Sequence, residues 1–247
     1  MQALGTIIIG DEILSGKRQD AHLSKVIALL NARGLQLSWA NYLGDTSEQI
    51  TNTLKASMNR GDIVFSFGGI GATPDDFTRQ SAAEAANVPI VRHTGAVAEI
   101  ETQFGEGAYP KRVLMADFPQ GATLIPNPVN RVAGFSLGHH HFLPGFPQMA
   151  WPMMEWVLET YYAHCFHQQS IMEQAILVFD AGESRLIDLM NSIVSQYPEV
   201  KLFSLPKMDN RRSIELGVKG KPDAVTEAIM AIKTGVDAAG FTWQALN

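Results

Sequence analysis

The feature that most constrains this chain is a succession repeated through its N-terminal third: a short apolar run, a glycine, then a stretch with helical spacing. Residues 4–9 form an apolar run closed by Gly10. Runs of that kind suit strands buried on both faces of a parallel sheet. Leu23, Val26, Ile27 and Leu30 then fall at i, i+3, i+4 and i+7, a single helical stripe, with Gly34 at the usual C-terminal stop. Alternating Leu35, Leu37 and Trp39 predict a strand over 35–43. Thr46 or Ser47 is placed to cap a second helix that carries Ile50, Leu54 and Met58 on one face. A third strand, 62–67, runs directly into Gly68-Gly69-Ile70-Gly71 and a helix over 77–86. Strand and helix in this alternation predict an α/β fold with an open, mostly parallel sheet.

Further along, 95–107 reads as a helix, 122–125, 132–137 and 140–143 as strands, and 148–164 as an amphipathic helix. The remainder has its own order. Strands at 175–179, 200–205, 213–218 and 241–244 alternate with helices at 184–195 and 222–238, around a turn at Asp209-Asn210. That β-α-β-β-α-β order predicts a small ferredoxin-like α+β domain. The expected organisation is therefore a larger domain over 1–168 and a smaller one over 169–247.

Composition narrows the function classes. With 247 residues and 46% hydrophobic content the chain buries a full core. The net charge is −6 and no Lys/Arg block appears, so nucleic acid is not an expected partner. No apolar run reaches the ~20 residues that span a bilayer, and the N-terminus lacks the basic lead-in and small-residue cleavage site of a secretory signal. A single cysteine, Cys165, allows no intrachain disulfide and fits a reducing compartment. The cytoplasm is the expected location, and Cys165 reads as a small packed hydrophobe.

In an open α/β sheet, ligands bind beyond the carboxyl ends of the strands. Three such places carry acids: Gly10-Asp11-Glu12, Gly44-Asp45, and Gly68-Gly69-Ile70-Gly71-Ala72-Thr73-Pro74-Asp75-Asp76. Gly10, Gly68, Gly69 and Gly71 permit close approach of backbone amides to a phosphate, and the following helix adds its positive end. The loop is neither a Walker loop, lacking Gly-Lys-Ser/Thr, nor a dinucleotide fingerprint, since Pro74 replaces the third glycine. Taken as glycines alone, a tight turn explains it equally well. Asp75 and Asp76 add more: a helix N-cap uses one carboxylate, worth about 1 kcal/mol, leaving the other for a hard divalent ion beside bound phosphates. Asp11 and Glu12 stand at the ligand edge or are solvated turn residues. Thr73 and Thr78 offer hydroxyls to phosphate or to local caps. Asn127-Pro128 and Pro144-Gly145 are rigid turns, the second leading into a helix. His139-His140-His141 invites a metal reading, but no acid or cysteine stands nearby at ligand spacing, so ordinary strand residues are expected.

Together these pieces resemble the molybdopterin-binding domain of molybdenum-cofactor biosynthesis proteins of the MoaB/MogA kind, and most nearly the N-terminal domain of CinA-type competence/damage-inducible proteins. The resemblance covers about 150 residues. It rests on Gly10-Asp11-Glu12-Ile13-Leu14-Ser15-Gly16 with Asp20, on Phe67 through Thr78, and on Asn127-Pro128 and Leu143-Pro144-Gly145-Phe146-Pro147; Gly182-Glu183-Ser184 begins a stretch similar to the small domain that follows in such proteins. It implies a three-layer α/β/α fold, molybdopterin or an adenine nucleotide as ligand, and homo-oligomers. For CinA-type members it also implies hydrolysis of ADP-ribose-like diphosphates with Mg²⁺, Mn²⁺ or Co²⁺. On that pattern Asp75, Asp76 and Glu12 are the catalytic acids, with Asp75 and Asp76 at the metal. Gly10, Asp11, Gly68, Gly69, Gly71, Thr73, Asn127, Pro144 and Gly145 surround the phosphorylated ligand. The nicotinamide-mononucleotide deamidase domain of longer CinA proteins has no counterpart in these residues. Two positions depart from the pattern: Ala72 replaces a proline, and Asn130 replaces a glycine and is expected to bring a side chain to the ligand's path.

Overall fold

The computed structural model describes residues 2–168, 170–208 and 212–246, and the chain divides into two compact units, 1–166 and 167–247. In the first unit the order is β1 (Leu4–Ile9), α1 (Asp11–Leu14), α2 (His22–Asn31), β2 (Trp39–Leu43), α3 (Ser47–Arg60), β3 (Ile63–Phe67), α4 (Thr78–Ala86), β4 (Ile90–Arg92), α5 (Thr94–Phe104), β5 (Asp117–Pro119), β6 (Thr123–Ile125), β7 (Gly134–Leu137), β8 (His140–Leu143) and α6 (Pro147–Tyr161). Six strands form one sheet in the order β2-β1-β3-β8-β7-β6. β2, β1, β3 and β8 run parallel, and β7 and β6 add antiparallel pairings at one side.

Period-two alternation sends neighbouring side chains to opposite faces. Ile8, Phe65 and Phe67 pack with Val26 and Leu30 of α2 and with Met153, Met154 and Val157 of α6. Ile7, Ile9 and Val64 pack on the other face with Ile50 and Leu54 of α3, Ala82 of α4 and Ile100 of α5. Two cores sharing one doubly buried sheet make the three-layer architecture. Glycine is required at position 5, where a Cβ would lie 2.1 Å from the Trp39 ring of β2.

Local chemistry moves some boundaries. The strand expected from Leu35 begins at Trp39 instead, because the Leu35 amide closes the α2 end by donating to the Leu30 carbonyl. Leu35 is buried as a core residue of that turn rather than in the sheet. The helix expected to reach Gly107 stops at Phe104, where Gly105 takes φ 53 and short 3-10 turns follow. β4 and β5 then form a two-stranded antiparallel ribbon absent from the sequence reading.

The second unit comprises β9 (Met172–Phe179), α7 (Glu183–Gln196), β10 (Val200–Met208), β11 (Arg212–Gly220), α8 (Pro222–Ala238) and β12 (Trp243–Leu246). Its antiparallel sheet runs β10-β11-β9-β12, the split β-α-β arrangement of ferredoxin-like folds. Ile176, Val178, Leu216 and Val218 bury one face against Leu186 of α7 and Val225, Ile229 and Ile232 of α8. The turn expected at Asp209-Asn210 lies outside the described residues.

Candidate functional site

Parallel strands end on the same edge, so the turns after β1, β2, β3 and β8 meet there. Backbone bonds join them: Gly10 N donates to Leu43 O and Gly68 N to Leu143 O, each at 3.0 Å. Gly68 has φ 101, and a Cβ there would stand 2.3 Å from the Ile9 carbonyl oxygen. Gly145 lies against Gly68, the position of its Cβ falling 3.5 Å from the Gly68 Cα. Gly10, Gly68, Gly69, Pro144 and Gly145 thus belong to one edge.

The glycine-rich loop is held from behind. Thr78 Oγ1 donates to Gly68 O at 3.0 Å, Thr78 N donates to Gly69 O at 3.0 Å, and Arg79 Nη2 donates to Gly71 O at 2.6 Å. Three loop carbonyls therefore turn toward the start of α4. In a planar trans peptide the N–H points opposite to the C=O. The amides of Gly69, Ile70 and Ala72 consequently point away from α4, and among the described residues none of them has a hydrogen-bond partner. Outward amides beside a helix N-terminus form an anion-accepting concavity. Thr78 is buried and spent on the loop itself, so of the two threonines only Thr73 is exposed.

The acids do several different things. Asp11 N donates to Asp45 Oδ2 at 2.9 Å and Asp45 N to Asp11 Oδ1 at 3.2 Å, a reciprocal clasp between the first two turns. Burial raises the Asp45 pKa, and the negative charges of Asp11, Glu12 and Asp75 raise it further, outweighing the amide bond from Asp11 that lowers it. Glu12 folds over Gly10, where a Cβ would meet its Oε2 at 2.6 Å. Asp75 is exposed, and the dipoles of the nearby Thr73 hydroxyl, whose proton goes to Asp76, and of its own backbone amide hold its carboxyl below the ordinary range. Asp76 accepts from the Thr73 amide at 2.9 Å and from the Thr73 hydroxyl, closing the loop. The expectation that one of these aspartates caps the helix is corrected: Phe77 occupies that position without a side-chain cap, because Asp76 is engaged on Thr73.

Among the described residues no group of three or more His, Cys, Asp or Glu side chains is assembled to hold a metal. The donors fit a divalent ion only in the manner typical of Mg²⁺, through one or two carboxylates completed by water and ligand phosphate.

Three further residues contribute; the sequence reading placed Asp20 in the first ligand turn and missed the other two. His22 is buried, stacks on Phe67 with centroids 4.4 Å apart, and lies 3.1 Å from Gly145 O through Nε2. A carbonyl only accepts, so Nε2 carries the proton and Nδ1 is a bare acceptor, without a partner among the described residues. Burial lowers the His22 pKa. Asp20 caps α2 through the His22 and Leu23 amides and accepts 2.7 Å from the Tyr42 hydroxyl, whose pKa burial and that bond push up to about 12. Arg79 is the third. A polar residue inside a helix pattern gives no sign of where its side chain goes.

The expectation for Asn130 is corrected, and Asn127 is engaged in the same turn. Asn127 is buried: its Nδ2 donates to Asn130 Oδ1 at 2.8 Å and to Val132 O at 3.0 Å, while its Oδ1 accepts from Val129 N. Asn130 Oδ1 also accepts from Val132 N at 3.1 Å, so its side chain folds into its own turn instead of toward a ligand. This turn borders a cleft of about 470 Å³ lined by Leu124, Pro126, Pro128, Pro152, Trp156 and the Arg131–Glu99 ion pair, among others. The histidines are structural. His141 bonds Ser136 and Tyr162, His139 bonds Tyr162, and His140 bonds Ser57 at 2.8 Å. Cys165 packs against the α2–α6 core.

A three-layer unit with this glycine-rich edge has known relatives. The chain belongs to the family described as "Probable molybdopterin binding domain", which matches residues 5–164. A CinA-like protein of Geotalea uraniireducens is 27% identical over 238 residues, covering 92% of this chain and 56% of the relative. A CinA-like protein of Syntrophotalea carbinolica is 29% identical over 191 residues, covering 74% and 46%. The chain thus spans about half the length of these curated relatives. Among solved structures, the protein CinA with unknown function from Thermoplasma acidophilum superposes with a TM-score of 0.59 at 25% identity, covering 64% of this chain and 98% of that one. No helix among the described residues is long and apolar enough to cross a membrane.

Proposed function

We propose that this chain binds a phosphorylated pterin or an adenine nucleotide at the carboxyl edge of its parallel sheet, with a phosphate on the loop of Gly68, Gly69 and Gly71. The supporting observation is the orientation of that loop: its carbonyls are tied to Thr78 and Arg79, which leaves the amides of Gly69, Ile70 and Ala72 outward. The family description and the CinA-like relatives agree with a ligand of this class.

We further propose hydrolysis of an ADP-ribose-type diphosphate with Mg²⁺, Mn²⁺ or Co²⁺. Its support is the crowding of Asp11, Glu12, Asp45 and Asp75: burial raises the Asp45 pKa and the neighbouring negative charges add to it, a repulsion that a cation relieves. A bound divalent ion supplies neutralisation of charge on the diphosphate. Asp75, with the help of Asp11 or Glu12, holds it, while Asp76 keeps Thr73 and the loop in place. The alternative, binding without cleavage, is favoured by the engagement of Asp76 on Thr73, which leaves one acid fewer for the reaction.

Calorimetry with ADP-ribose, ADP and molybdopterin, followed by product analysis with each metal, separates these readings. Binding with turnover lost in Asp75→Ala supports the hydrolase. Binding with no product in any metal leaves a binding protein, and no binding to any of the three ligands overturns the proposal.

A further inference from the structure

Arg79 is 4% exposed, yet it forms no ion pair with any carboxylate among the described residues. Its guanidinium meets carbonyls only: Nη2 donates to Gly71 O at 2.6 Å, and Nη1 to Leu114 O at 2.5 Å and Asp117 O at 3.0 Å. Nε has no partner. Asp117, whose backbone carbonyl accepts from Arg79, pairs through its carboxylate with Arg92 instead. Burial opposes the charged form, and the more distant Asp117 and Asp76 charges only partly offset it.

A full charge buried against three carbonyls, with one N–H unsatisfied, is costly for a fold. Tying down Gly71 needs a neutral donor and nothing more. The excess is a positive charge directly behind a loop whose amides turn outward. We propose that Arg79 is a positioning residue whose buried charge makes the Gly68–Gly71 loop selective for a phosphate-class anion, the ligand acting as its missing counter-ion. This inference rests on the reading of the loop as a phosphate site.

Two substitutions in the full chain separate charge from tether. Arg79→Lys keeps the charge, and Arg79→Gln keeps a donor for Gly71 O without charge. Inorganic pyrophosphate is the probe, measured by calorimetry alongside melting temperature, with Arg92→Gln as a surface control. The expected result is a pyrophosphate Kd at least about tenfold weaker in Arg79→Gln, about 1.4 kcal/mol. Arg79→Lys stays within a few-fold of wild type. Equal weakening in both variants, or unchanged binding in Arg79→Gln, overturns the proposal while leaving the phosphate site standing. Absence of pyrophosphate and ADP-ribose binding in wild type overturns both. If Arg79→Gln does not fold, the Nε–H resonance of Arg79 in wild type decides: a shift on adding pyrophosphate supports the proposal, and an unmoved signal at saturation overturns it.

Discussion

Replacing Gly68 with alanine tests whether the meeting of the turns is as tight as the structure makes it. The backbone there has φ 101, on the side of the Ramachandran map that L side chains avoid, and the new Cβ would sit 2.3 Å from the Ile9 carbonyl oxygen. Ile9 is the last residue of β1, so the clashing atom belongs to a central strand and not to a flexible side chain. The conformational penalty is about 1–2 kcal/mol, and forcing an extra methyl into a packed site costs about 1–3 kcal/mol. Together they predict a loss of about 2–5 kcal/mol, or roughly 4–20 °C in melting temperature for a domain of this size. Gly145→Ala is the matched comparison, because its Cβ meets only the Gly68 Cα at an ordinary 3.5 Å. It is expected to melt near wild type while weakening any ligand seated between the turns. Thermal unfolding followed by circular dichroism reads both. A Gly68→Ala protein melting within about 2 °C of wild type would refute the packing argument, as would Gly145→Ala melting lower than Gly68→Ala.

Three other outcomes follow from the geometry. Burial pushes the His140 pKa down to about 4 and that of His141 to about 3, from 6.5. Both stay neutral in the fold, so the stability they contribute is present above pH 6.5 and declines as pH falls toward 4. Melting temperature should drop across that window, and a His140→Gln, His141→Gln double variant should flatten the drop; an equal slope in the variant counts against it. Asn130→Gly removes the acceptor for Asn127 Nδ2 and Val132 N, with an expected loss of about 1–2 kcal/mol and unchanged nucleotide Kd; an altered Kd returns Asn130 to the ligand's path. Tyr42, bonded to Asp20, should ionise near pH 12, the one step of an ultraviolet titration that Tyr42→Phe removes. A Tyr42 transition at pH 10 means that the bond is not made in solution.

Most of the fold was legible because its signals are local. The buried β1 run, the stripe of Val26 and Leu30 and the order of the second unit follow from periodicity and caps. The β4–β5 ribbon was not, since Ile90–Arg92 is too short and too exposed to carry a pattern. In the site, the glycines announced themselves through the residue type that a positive φ requires. That Asp76 ties down its own loop and Asn127 its own turn was not legible, because a polar residue's type does not say which local bonds its side chain makes. His22 and Arg79 were invisible for a different reason: their partners, Gly145 and Gly71, become neighbours only through tertiary packing or loop curvature.

The Gly68–Leu143 bond and the His22–Gly145 contact also bear on how the protein reaches its working form. His22 and Gly145 are 123 residues apart in sequence, and β3 gains its second neighbour only when β8 docks. Bringing those residues together requires closing a long loop. The glycine edge is therefore complete only once β8 has docked, and a chain lacking β8 has the glycines without the cradle.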